Sequence, residues 1–239
     1  MNWASQASVQ QDPLTYLPRK PLLEFAKGRA IYDVQQPNDH LYVVILGRVK
    51  ISTTADDGCQ TVGRIVCAEG LFGESCLLGT TSRSESAVAL DNATLMAWSR
   101  NEIEQQIERE PRLGVALSQY LVRQCLSLQD RIESMAVYKT PERVMLALME
   151  LASDLGLPLE DGSTRVASLA HHTIAEYVGT SREIVTFQMN RLRRLGLIRY
   201  SRKHIDVYIP AIKESLSEQG IAAPRHLGET VKVAGSAAD

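Results

Sequence analysis

The sequence predicts an α+β chain in three successive parts: an N-terminal antiparallel β jelly roll or barrel, a long dimerisation helix, and a C-terminal winged helix-turn-helix. Three observations predict it. Between residues 23 and about 98 the chain shows short β-type runs split by turn residues, with no helical pattern between them. Next comes a helical stretch carrying apolar residues at alternating spacings of four and three. Last is a helix, a glycine turn, a basic helix and an alternating hairpin.

The β runs are RAIYDV, HLYVVIL, GRVKIST, TVGRIV, SAVAL and ATLMAW, and the breaks hold Pro37-Asn38-Asp39, Asp56-Asp57-Gly58 and Gly79. They define a domain over 21–110, after a flexible N-terminus at 1–20. The helical pattern from 101 to 136 breaks near Glu110-Pro111, and 111–138 reads as the dimerisation helix. Its seam is Leu121, Cys125, Leu128, Ile132 and Met135. Such a seam joins two parallel copies or packs onto the β domain; in the first case Cys125 faces its own copy, as an inert thiol or as half of a reversible disulfide. At Thr140-Pro141 a cap and a first-turn proline open a second domain over 139–212. It continues as an amphipathic helix, the loop PLEDGS, the strand TRVAS, helices over 171–178 and 182–195, and a hairpin turning at 201–204. The tail, 213–239, drifts to Ala, Gly, Glu and Ser and reads as disordered.

No apolar run approaches the roughly 20 residues that span a bilayer, and the N-terminus lacks the regions of a signal peptide, so a cytoplasmic, membrane-free protein is expected. Cysteines 59, 67, 76 and 125 form no C-x2-C pair, which argues against zinc and iron–sulfur sites. A net charge of −2 gives no reason to expect nucleic acid, but its distribution does. Residues 180–204 carry seven bases against one acid, whereas 140–179 carry two against six.

In IAEYVGTSREIVTFQMNRLRRLGLI, small Ala175 and Gly179 let two helices approach, with Ile174, Val178, Ile184, Val185 and Leu192 between them. That leaves Ser181, Arg182, Glu183 and Thr186 at the exposed start of the second helix, where Arg grips guanine and Glu accepts from cytosine N4. Arg191, Arg193 and Arg194 meet phosphates or pack on the wing, as do Arg202 and Lys203 at its tip. Glu183 has a second reading, since Thr180-x-x-Glu183 is also a capping box. His171, opening the first helix, suits a phosphate contact.

FGESCLLGTTSRSESA places Gly73-Glu74 nine residues ahead of Arg83-Ser84, a set suited to a ligand with hydroxyls and a phosphate. Glu85 does not suit it. Residues i and i+2 of a strand share a face, so Glu85 is expected beside Arg83, where it neutralises the guanidinium or repels the phosphate.

Ser181-Arg182-Glu183 resembles the opening of the recognition helix in the CRP/FNR transcription regulators, and HLYVVILGRVKIS, FGE and SRSESAVAL resemble their cyclic-nucleotide-binding-like domain. The resemblance covers about 23–210. It implies a homodimer on double-stranded DNA, binding a near-palindromic operator, with RNA polymerase as a further partner of an activator. The family's second reading arginine is here Phe187, so specificity at that base pair should differ. The resemblance also assigns Gly73-Glu74 to a ribose and Arg83-Ser84 to a cyclic phosphate. The family's adenine-binding Thr-Ser pair is replaced by Leu128-Gln129, with Ser127 or Gln129 within reach. Cyclic AMP is therefore disfavoured, and the effector is unknown. Haem ligation through Cys76 or His40 stays open against a structural role for each.

Two other classes compete. A metal-dependent jelly-roll enzyme needs a His/Glu cluster among the strands, and that region holds one histidine, His40. A cyclic-nucleotide-binding-like module acting on a protein partner would use the basic helix for docking, with salt-insensitive binding.

Overall fold

The computed structural model describes residues 11–222, and the chain divides into two units, Met1–Leu126 and Ser127–Asp239. In the first, the β runs become β1 (Leu23–Phe25), β2 (Ala30–Tyr32), β3 (His40–Leu46), β4 (Val49–Thr54), β5 (Gln60–Val66), β6 (Leu71–Phe72), β7 (Ser86–Ala89) and β8 (Ala93–Ser99). They pair antiparallel in two sheets, ordered β1-β8-β3-β6 and β2-β7-β4-β5. Phe72, Val44 and Leu95 of one sheet pack with Tyr32, Val49, Ile51, Val66 and Ala87 of the other.

The apolar run from Leu41 to Val44 is explained by burial on both faces, since strand side chains alternate, whereas Ile45 and Leu46 at its end are exposed. Val44 points into the sandwich. Leu41 and Val43 pack with Trp98 against Ile103 of α1 (Arg100–Arg109) and Leu113 and Leu117 of α2 (Arg112–Val137). Ser99 and Glu102 form a capping box at the start of α1, and the expected break at Glu110-Pro111 separates the two helices.

The flexible N-terminus expected over 1–20 is corrected for its described part, 11–20. A 3-10 turn at Pro13–Thr15 is capped by Asp12. The Trp98 indole donates to Pro18 O at 3.0 Å, and the Gln106 amide donates to Tyr16 O at 2.8 Å. Residues 1–10 lie outside the described residues.

In the second unit α3 (Thr140–Leu155) has Pro141 in its first turn, but the cap position falls at Lys139 rather than Thr140. Nine consecutive residues of α3, Val144 to Ala152, are buried, because elements pack around it on several sides. These include α4 (His171–Val178), α5 (Arg182–Arg194) and α6 (Ile209–Ser217). The strands β9 (Leu157–Pro158), β10 (Thr164–Ala167), β11 (Ile198–Tyr200) and β12 (His204–Val207) form one antiparallel sheet, ordered β11-β12-β10-β9.

The α6 helix corrects the disordered tail as far as it is described. Pro210 sits in the first turn of α6, where its missing N–H costs nothing. Ile212 and Leu216 are buried. The remaining tail, 223–239, lies outside the described residues.

Candidate nucleic-acid interface and effector frame

Gly179 ends α4 at φ 73° and ψ 52°, a left-handed conformation open to glycine, and its amide bonds Ala175 O at 2.9 Å. Ser181 then caps α5, its hydroxyl accepting from Ile184 N at 3.3 Å. The capping box expected from Thr180 does not form, because the cap falls one residue later. Glu183 is nonetheless turned back. Hydrogen bonds from its own backbone amide first, then from the Ser181 hydroxyl, hold its carboxyl below the usual range.

Arg182 is exposed, and its guanidinium makes no hydrogen bond or ion pair among the described residues. Thr186 is committed: its hydroxyl donates to Arg182 O at 2.8 Å and stands 2.8 Å from His171 Nδ1. With the hydroxyl proton spent on Arg182 O, Nδ1 is the donor of that second bond. A neutral His171 then presents a bare Nε2, which cannot donate to a phosphate. Burial, and secondly the charge of Arg182, lower the His171 pKa and favour this neutral form. His171 thereby ties α4 to α5.

The wing is tied to α5 by Tyr200, whose hydroxyl donates to Asn190 Oδ1 at 3.0 Å and whose ring lies 5.3 Å from the Arg193 guanidinium. Beneath it, buried Asp206 accepts two bonds from Arg165, at 2.7 and 3.0 Å. Arg199 pairs with Asp161 and so leaves the free basic set. Arg191, Arg194, Arg202 and Lys203 remain exposed.

Ile184 is the one misplaced member of the expected apolar face. Val185, Met189 and Leu192 are buried, at spacings of four and three, whereas Ile184 is 42% exposed. Adjacent residues lie about 100° apart on a helix, so Ile184 and Val185 cannot both face inward. The 185–189–192 spacing was the signal for choosing between them. Phe187 is 60% exposed.

In the β unit, Gly73 holds φ 79° and leads into a 3-10 helix at Glu74–Leu78. Glu74 accepts from Arg64 at 2.8 Å, and Arg64 also bonds Leu71 O and the Tyr120 hydroxyl. Arg83 is 2% exposed and folded inward. Its terminal nitrogens donate to His40 O at 2.6 Å and Gly73 O at 3.1 Å, and its guanidinium lies 4.1 Å from the Tyr32 ring centre. Nη1 also donates to Ser75 Oγ at 3.4 Å, and Nε is buried and unpartnered.

Glu85 does not pair with Arg83, correcting the shared-face expectation. Both precede β7, in a loop where the two-residue period does not hold, and Glu85 accepts from the Tyr32 hydroxyl at 2.8 Å. Ser84 is exposed. Cys76 is fully buried, its thiol pushed up to about 11 chiefly by burial, and His40 Nδ1 lies 2.6 Å from Asp39.

The sequence matches the cyclic nucleotide-binding domain family over 22–110 and the Crp-like helix-turn-helix domain family over 142–213. Among curated proteins, the transcriptional regulator SdrP of Thermus thermophilus is 30% identical over 188 residues, 78% of this chain and 89% of that protein. The chain belongs to the CRP/FNR family of transcription regulators. A CRP-like cAMP-activated global transcriptional regulator of Mycobacterium tuberculosis is 28% identical over 184 residues, 77% of this chain and 82% of that protein. Among solved structures, the CRP/FNR regulator TTHA1359 of Thermus thermophilus superposes with TM-score 0.66 at 28% identity, covering 81% of this chain and 97% of that one. This CRP/FNR protein is thus a DNA-binding transcription regulator, not an enzyme, in a family that typically acts as a dimer.

Along α2 of this regulator the expected seam lies open. Leu128 is 51% exposed, Ile132 67% and Met135 43%; Cys125 is exposed and Leu121 half-buried. Gln129 is exposed too, while the Ser127 hydroxyl donates to buried Glu150 at 2.8 Å.

Proposed function

We propose that this regulator works as a homodimer joined along α2, reading a near-palindromic operator with the N-terminus of α5 from each copy. The observation that carries this is Arg182: an exposed, uncommitted guanidinium at the capped start of a helix whose other end is basic. Such a helix start enters the major groove, where a bidentate arginine–guanine contact contributes about 1–3 kcal/mol. Arg191, Arg194 and the wing-tip Arg202 and Lys203 neutralise phosphates on either side. Glu183, turned back on its own helix, reads cytosine only by giving up its intramolecular bonds, and so contributes less than Arg182.

The protein acts in the cytoplasm and, as an activator, would touch RNA polymerase. Among the described residues no helix is long and apolar enough to cross a membrane. The cyclic AMP activation in the mycobacterial relative's name does not carry over, because Glu74 is held by Arg64 and both terminal nitrogens of Arg83 by backbone carbonyls. A nucleotide phosphate must first displace those carbonyls, and hydrogen bonds to a charged group contribute about 1.5–3 kcal/mol each.

The test is a gel-shift titration on DNA upstream of the protein's own gene. Arg182→Ala should weaken binding by about 5- to 150-fold, the equivalent of 1–3 kcal/mol. Equal affinity for both proteins removes Arg182 from base readout.

A further inference from the structure

We infer that Ile184 and Phe187 form an apolar reading pair that selects thymine in each half-site through its C5-methyl group. The inference rests on α5 docking in the major groove. At 42% and 60% exposure these two large apolar side chains stand on an otherwise basic surface. Three residues apart, they are neighbours on one side of the helix.

The polar groups around them are already engaged within the chain. The Ser181 hydroxyl caps the helix, the Thr186 hydroxyl bonds Arg182 O and faces His171, and the Glu183 carboxylate is bonded back to its own helix start. What α5 presents for base edges is therefore Arg182 and the Ile184–Phe187 pair. Arg182, Arg191 and Arg194 on the same helix mark the occupant of this surface as a polyanion, which argues against a neutral apolar protein groove. In the major groove of DNA the only apolar group a base edge offers is the thymine methyl. Where an arginine would bond guanine O6 and N7, Phe187 thus exchanges a G·C requirement for an A·T requirement.

The experiment is operator selection from a randomised duplex pool with the full chain, followed by titration of the selected site with thymine or uracil at each constant A·T pair. Uracil keeps every hydrogen-bonding group and lacks only the methyl. One such replacement should weaken binding roughly fourfold per half-site, the equivalent of one buried methyl group. Phe187→Ala should bind the thymine and uracil duplexes equally, and Phe187→Arg should move the selected base at that position to guanine. An enriched site without a constant thymine, or one bound equally well with uracil by the unaltered protein, overturns the inference and leaves DNA reading by Arg182 standing. A pool from which nothing is enriched removes the DNA-reading assignment and this inference with it. The uracil arm needs no variant, so it decides the matter even if a substitution disturbs folding.

Discussion

At the scale of single residues, side chains that look ligand-ready in sequence are spent on the fold, and His171 shows the consequence for stability. Its ring is held between Thr186, 2.8 Å from Nδ1, and the ring of Tyr200 at 6.1 Å. Burial and Arg182 lower its pKa from the ordinary 6.5. In the unfolded chain the ring takes up a proton near 6.5, whereas in the fold it does so only at lower pH. The stability linked to neutral His171 is therefore complete above about pH 6.5 and is lost as pH falls from there through the folded pKa. In His171→Gln that contribution is absent, so the stability gap between wild type and variant should narrow between about pH 7.5 and 5.5, read by urea unfolding at each pH. A gap constant with pH means the ring is not held neutral.

At the scale of elements, legibility followed length and period. The strands β3, β4, β5 and β8, with six or seven residues each, were readable from alternation and turn residues. The two-residue β6 and β9 hold less than one full alternation and left no trace. The α6 helix was missed because the Ala, Gly, Glu and Ser content of the tail outweighed its two apolar anchors, Ile212 and Leu216. In the candidate site, the exposed α5 start and its arginines were legible, but its cap, expected at Thr180, falls at Ser181. The commitments of Arg83, Glu85, Thr186 and His171 were not, because each depends on a partner distant in sequence or in a loop without a period. The α2 residues read as a seam carry an element-scale prediction. A helix with Leu128 at 51% and Ile132 at 67% exposure has an apolar side to bury, and each such side chain contributes about 1.5–3 kcal/mol on burial. In the homodimer proposed above, Ile132→Glu, counted in both copies, should shift the protein from dimer to monomer in sedimentation velocity and weaken operator binding. A dimer that survives the change places the interface elsewhere.

At the scale of the whole molecule, a DNA-reading unit with free arginines is joined to a β unit whose anion-binding side chains are already occupied. Occupied side chains do not by themselves exclude a ligand, but a ligand must first break what they make. For cyclic AMP that means two charge-assisted bonds of Arg83 to carbonyls and the Glu74–Arg64 pair. Hydrogen bonds to charged groups contribute about 1.5–3 kcal/mol each, so the exchange costs several kcal/mol before any contact is gained. The regulator should therefore bind its operator with the same affinity at zero and at millimolar cyclic AMP. Thermal unfolding supplies an independent reading. A ligand present at about 100 times its dissociation constant adds about 2.7 kcal/mol to the folded state and would raise the midpoint by several degrees. An unmoved midpoint together with unchanged DNA affinity is the expected result. A rise of that size would show that Arg83 and Glu74 leave their present partners for the nucleotide, and that the β unit is a cyclic nucleotide receptor after all.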